Sequence, residues 1–242
     1  VVLSPADYAE LGRTALATVA FSSNAMFFSL SDYFDGAADM KPLLHTWSLA
    51  VEEQFYLLFP LLLAGLSARA PRLLRPALWL GAALSLLGCV LLSRGAQAFS
   101  FYLPFTRAWE LLAGALLAAG AVPALNRRLA DWASLAGLAL IVGSLFLIDK
   151  SMVFPGWVAL APVLGTALVL HAGAAGASLG GRLISGDAFV RIGGLSYSLY
   201  LWHWPVMAYA RYTAEGPMEP GRIAYALFAS LVLAMASLRY LE

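Results

Sequence analysis

From residue 46 onward the chain is a succession of apolar runs near bilayer length, at roughly 46–66, 77–93, 103–120, 132–148, 156–171, 195–211 and 222–241. A helix that crosses the hydrocarbon core needs about 20 mostly apolar residues, so the pattern predicts seven clear spans. Composition agrees: 61% of residues are hydrophobic and 12% charged, against about 45–50% and about 25% in an ordinary soluble domain. The expected fold is an all-α polytopic transmembrane bundle, with residues 1–242 as one membrane-embedded domain. A net charge of +1 without a basic run argues against nucleic acid. The single cysteine, Cys89, cannot form an internal disulfide.

Residues 6–30 are ambiguous, because an apolar run is interrupted by Ser22-Ser23-Asn24. They fit a weak span, a re-entrant helix or an interfacial helix. A polar loop with Asp32, Asp35, Asp39 and Lys41 follows. Arg69, Arg72, Arg75, Arg127, Arg128, Arg182, Arg191 and Arg239 fall on one side of the predicted bundle. Asp32, Asp35, Asp39, Asp149, Glu215 and Glu219 fall on the other, with scattered bases. The bias makes the arginine side cytoplasmic. The Gly/Ala-rich segment 172–181 reads as a flexible cytoplasmic loop.

Three polar stretches interrupt the apolar pattern. The first is His45-Thr46-Trp47-Ser48-Leu49-Ala50-Val51-Glu52-Glu53-Gln54-Phe55-Tyr56. Helical spacing puts His45, Ser48, Glu52 and Tyr56 on one stripe and the two glutamates about 10 Å deeper than His45. Charges at membrane depth are expensive and usually face a wet cavity or a protein interior. A histidine within reach of a carboxylate can exchange a proton near neutral pH. Mutual satisfaction between helices is the structural alternative. No second histidine follows at metal-binding spacing, so no metal site is expected.

The second stretch is Thr106-Arg107-Ala108-Trp109-Glu110, where Arg107 and Glu110 lie one turn apart. They can pair locally, or Arg107 can neutralise Glu52 or Glu53 or hold an anionic substrate group. The third runs from Arg191-Ile192-Gly193-Gly194 through Ser196-Tyr197-Ser198-Leu199-Tyr200 to Trp202-His203-Trp204-Pro205. Ser196, Tyr200 and His203 share a face. Pro205 frees the carbonyl of Leu201, so the helix can kink at His203. Gly193 and Gly194 would allow a close backbone approach at the cytoplasmic entrance. Asp187 and Arg191 are four apart and read as a local pair. His171, near a helix end, reads as incidental.

Taken together with Asn24 and Tyr33-Phe34-Asp35, these stretches resemble the acyltransferase 3 family of bacterial membrane O-acyltransferases, which includes O-acetylases of lipopolysaccharide, peptidoglycan and other surface glycans. The resemblance extends through Leu111-Leu112-Ala113-Gly114 and Ser237-Leu238-Arg239-Tyr240-Leu241-Glu242. It implies transfer of an acyl group, usually acetyl, from cytoplasmic acyl-CoA to an extracytoplasmic envelope-glycan hydroxyl, in the bacterial inner membrane. No permanently bound cofactor is implied; acetyl-CoA is a substrate, and lipid, acyl-CoA and glycan are the partners. The family's first helix, with its arginine and essential histidine, and an arginine-rich cytoplasmic motif have no match here, and the pattern usually continues past Glu242. The expectation is therefore a piece of a longer chain, inactive alone. Some relatives add an extracytoplasmic esterase-like domain.

On this reading Glu52 and Glu53 orient or tune a histidine outside this stretch, or move protons themselves. His45 and Ser48 lie near the acceptor, with Trp47, Gln54 and Tyr56 beside them. Arg107 and Glu110 support the acceptor pocket. Gly193, Gly194, Ser196, Tyr197, Tyr200 and His203 line the passage. A secondary transporter would also place carboxylates and histidines at depth, but with inverted repeats, which are not evident. A non-catalytic membrane scaffold is the third alternative.

Overall fold

A computed structural model describes residues 3–31, 38–149, 151–214 and 216–241. Asp32, Tyr33, Phe34, Asp35, Glu215 and Glu242, all used above, lie outside the described residues. Among the described residues the regular structure is helical: α1 Pro5–Val19, α2 Ser23–Leu30, α3 Thr46–Arg69, α4 Leu74–Leu92, α5 Gln97–Tyr102, α6 Pro104–Ala118, α7 Arg127–Leu147, α8 Leu160–Ala174, α9 Leu179–Ile184, α10 Asp187–Tyr212 and α11 Pro220–Tyr240.

Among the described residues five helices are long and apolar enough to cross a membrane, against the seven expected: Thr46–Arg69, Pro71–Leu92, Arg127–Leu147, Trp157–Ala174 and Pro220–Tyr240. The run at 103–120 falls short because Pro104 opens a separate helix of 15 residues. α10 has the length, at 26 residues, but its serines, tyrosines and histidine lower its hydropathy. The ambiguous N-terminal segment is two short helices, of 15 and 8 residues, separated by a turn in which Phe21 has φ 50°. The predicted loop at 172–181 shrinks, because α8 continues to Ala174 and α9 starts at Leu179 with Ser178 capping the Gly181 N–H.

The chain forms two compact units. The first contains residues 1–51 and 187–242. Here α11 buries Ala226, Ser230, Ala234 and Ser237, a stripe of small residues at helical spacing. Small residues let membrane helices approach closely, since lipid supplies no hydrophobic drive between them. The α1 start is tied to the end of α10: Tyr212 OH donates to Asp7 Oδ2 at 2.7 Å and accepts from Ser4 N at 2.9 Å.

The second unit contains residues 52–186. In it α7 and α8 cross through Gly137 and Gly165, each with the other's carbonyl inside the space a Cβ would need. α4 and α6 are joined by Ser85, whose hydroxyl donates to Phe105 O at 2.6 Å and accepts from Trp109 N at 3.0 Å. Trp109 packs on Cys89 and Ala159. Large apolar side chains such as Leu61, Leu145 and Phe146 point outward in both senses of exposure and composition, as lipid-facing residues do.

Candidate active site

The polar residues of the first unit converge on His45. It sits in the turn just before α3 and is only 7% exposed. The turn is clamped from two sides. Ser23 donates to Thr46 O at 3.0 Å, and the Thr18 and Thr46 hydroxyls meet at 3.0 Å. From α10, Tyr200 OH donates to His45 O at 2.5 Å and meets Ser48 Oγ at 2.6 Å. The tyrosine has one proton to give, so Ser48 is the donor to it. Trp204 Nε1 donates to Lys41 O at 2.9 Å, one turn upstream. Lys41 itself pairs with Glu10 at 2.9 Å.

The His45 ring stacks edge-on against Tyr200 at 5.2 Å and His203 at 5.9 Å between centroids. Neither of its nitrogens has a hydrogen-bond partner. Burial first, and then the neighbouring His203, hold its pKa down to about 4, with the Leu201 carbonyl acting in the opposite sense. That carbonyl is the one Pro205 frees by lacking an N–H. It faces His45 without reaching hydrogen-bond geometry. His203 Nδ1 contacts Leu199 O at 3.1 Å and Tyr200 O at 2.8 Å. Both partners are carbonyls, so Nδ1 carries the proton and Nε2 is the basic nitrogen of the neutral ring. The result is two adjacent imidazoles, one buried with both nitrogens unengaged and one fixed in a single tautomer.

The remaining predicted residues fall elsewhere. Along α3, Trp47, Glu52 and Gln54 are half-buried, whereas Glu53 and Tyr56 are exposed. The expected stripe thus holds for His45 and Ser48 but opens outward by Tyr56. On α10, Ser196 and Tyr197 are exposed, and Ser196 Oγ donates to Gly193 O at 2.7 Å. Gly193 and Gly194 lie within α10, and nothing stands within 4 Å of a Cβ added to either. Among the described residues no neighbouring helix approaches closely there. The helix starts at Asp187 because an apolar run marks only where lipid begins, not where the helix does. Asp187 and Arg191 do not form an ion pair.

In the second unit Arg107 and Glu110 form the local pair, at 2.6 Å. The Arg107 guanidinium also donates from Nε to Phe101 O at 3.1 Å and lies over the Phe101 and Phe154 rings at 5.1 and 5.4 Å. Glu110 lines a cleft of about 250 Å³ with Pro162 and Thr166. His171 Nε2 contacts Pro123 O at 3.0 Å. No group of three or more metal-ligating side chains occurs among the described residues.

A family model described as an acyltransferase domain, acyltransferase 3, matches residues 13–239. The chain belongs to the acyltransferase 3 family. It is 29% identical over 261 residues to the O-acetyltransferase OatA of Staphylococcus aureus (strain NCTC 8325 / PS 47), covering 100% of this chain and 42% of OatA. It is 29% identical over 234 residues to BcsY of Komagataeibacter xylinus, whose name proposes a membrane-bound transacylase, covering 93% of this chain and 58% of BcsY. An uncharacterized protein of Haemophilus influenzae is 32% identical over 181 residues, 68% of this chain and 72% of that protein. The chain thus spans about half the length of OatA and BcsY. No solved structure matches it. With its apolar helices, this acyltransferase domain is part of a multi-pass membrane protein.

Sequence reasoning missed the Thr18 and Ser23 clamp on Thr46. The polar break Ser22-Ser23-Asn24 was its signal: Ser23 and Asn24 are buried, at 0% and 1% exposure. In the acyltransferase domain Tyr200 joins α10 to the His45 turn. Tyr200→Phe is expected to leave the His45 carbonyl short of a donor, lowering stability by about 1–3 kcal/mol. Thermal unfolding in detergent checks this; an unchanged midpoint would mean that the two short bonds carry no load.

Proposed function

We propose that this domain catalyses O-acyl transfer, of acetyl in particular, from cytoplasmic acyl-CoA to a hydroxyl of an extracytoplasmic envelope glycan, in the bacterial cytoplasmic membrane. The observation that carries the proposal is the buried His45, both ring nitrogens unengaged, beside His203 in an acyltransferase domain. The similarity to OatA, an O-acetyltransferase, supports the same chemistry.

The reaction needs a base for the attacking hydroxyl and donors for the oxyanion. The hydroxyl oxygen bonds to the thioester carbonyl carbon as its proton passes to a base. The tetrahedral intermediate then collapses, the C–S bond breaks, and the thiolate takes up a proton. A neutral imidazole accepts such a proton, and His45 and His203 Nε2 are the candidates. Ser48 and Tyr200 would hold the turn that carries His45. Glu52 and Glu53 would tune a histidine outside this stretch or relay protons, with Trp47, Gln54 and Tyr56 beside the acceptor. Arg107 and Glu110 would support substrate binding. Gly193, Gly194, Ser196 and Tyr197 would border the passage.

The test uses the protein expressed from its complete reading frame in its own membrane. Acetyl-CoA labelled in the acetyl group is supplied, and base-labile label is counted in the envelope glycan fraction for wild type and Glu53→Gln at matched expression. Label in wild type is expected, with a loss in the variant. No label in wild type would defeat O-acetyl transfer. Equal label in both would keep the enzyme and remove Glu53 from its mechanism.

A further inference from the structure

A cleft of about 460 Å³ lies in the second unit at the end of α4 remote from Arg69, Arg72 and Arg75. Its walls are apolar: Val90 and Leu91 from α4, and Met152, Val153, Trp157 and Val158 from the segment leading into α8. Several of these are open to the surroundings, with Leu91 at 66% and Trp157 at 65% exposure. The polar lining residues are Ser93 and Arg94. The Ser93 hydroxyl is engaged internally: it donates to Cys89 O and accepts from Gly156 N at 2.9 Å, fixing the floor of the cleft. Arg94 is exposed, and among the described residues no carboxylate stands within ion-pair distance of it. Asp149, on the nearby loop, has its Oδ1 taken by the Ser151 N–H and hydroxyl, at 2.7 and 2.5 Å.

This combination has a specific chemistry. An open apolar slot at the end of a membrane helix takes an acyl chain, because nothing else in the bilayer is as apolar. An exposed tryptophan at that level sits where headgroups begin. An unpaired guanidinium presents a planar fork of donors that matches a phosphodiester. The ligand that satisfies all three at once is amphiphilic and negatively charged. We propose that this cleft binds one anionic glycerophospholipid, an acyl chain lying along Val90, Leu91 and Trp157 and the phosphate on Arg94. The proposal does not depend on what the imidazole pair catalyses.

The experiment is native mass spectrometry of the full chain, purified in detergent and offered phosphatidylglycerol and phosphatidylcholine at equal concentration. A single basic residue at a membrane surface supplies a preference of about fivefold. One retained phosphatidylglycerol is expected, favoured about fivefold over phosphatidylcholine. Arg94→Gln should bring the ratio to one, and Trp157→Ala should reduce retention of both lipids while leaving the ratio above one. Both positions are exposed, so folding should survive. Equal retention of the two lipids by wild type, or an unchanged preference in Arg94→Gln, would overturn the assignment.

Discussion

Replacing His45 with glutamine is expected to lower acyl transfer by about 10²–10⁴-fold, the range that a positioned general acid or base supplies. The structural reading of the same residue predicts a different outcome. A buried polar ring without partners costs stability, about 1–3 kcal/mol for each unsatisfied group. His45 is 7% exposed and both its nitrogens are unengaged. If it served packing alone, substitution would leave transfer near wild type. The pair of measurements is therefore labelled-acetyl transfer and thermal unfolding of the same variant. A large fall in transfer with an unchanged or raised unfolding midpoint supports a chemical role. Wild-type transfer would remove His45 from the mechanism. The pH dependence has a definite sign. With the folded pKa near 4, below the usual value of 6.5, the unfolded chain takes up this proton first. Stability should therefore fall as pH drops from about 6.5 towards about 4, and the His45 contribution should be flat above that window.

The second large effect concerns the α7–α8 crossing. A Cβ at Gly137 would lie 2.6 Å from Gly165 O and 2.8 Å from Val169 Cγ2, and one at Gly165 would lie 2.8 Å from Gly137 O. The nearest obstructing atom at each glycine is the other's backbone carbonyl oxygen, so the helices must separate to admit even a methyl group. Helices in lipid associate through close packing, and separation removes that packing along the whole contact. Gly137→Ala is expected to destabilise by about 1–3 kcal/mol, as overpacking does, and Gly137→Leu to abolish a monodisperse folded protein. The control is Gly143→Ala on the same helix, where the nearest atom is Leu147 Cδ1 at 3.9 Å. That change should be neutral or stabilising by about 0.5–1 kcal/mol, since alanine is the better helix former. Unfolding midpoints and gel-filtration profiles in detergent distinguish the two. If Gly137→Ala matched Gly143→Ala, the close crossing would be wrong.

The amino-acid order by itself determined the helical class, because apolar runs of bilayer length leave the backbone few ways to satisfy its hydrogen bonds in lipid. It also determined local relations. Arg107 and Glu110 fall within pairing reach because residues three apart on a helix are neighbours. The Leu201 carbonyl is free because Pro205 has no N–H, whatever surrounds it. His45, Tyr200 and His203 stood out because polar rings are conspicuous in apolar runs. What only the tertiary structure decided is which neighbours those residues meet. Helical period places Ser196, Tyr200 and His203 on related faces, yet Tyr200 and His203 meet the His45 turn and Ser196 stays exposed. The Thr18 and Ser23 clamp and the Gly137–Gly165 crossing join positions 23 to 28 residues apart. Periodicity sets the direction of a side chain around its own axis. The partner on the far side of that direction is set by how helices pack, and in lipid that depends on small residues and hydroxyls that hydropathy does not register.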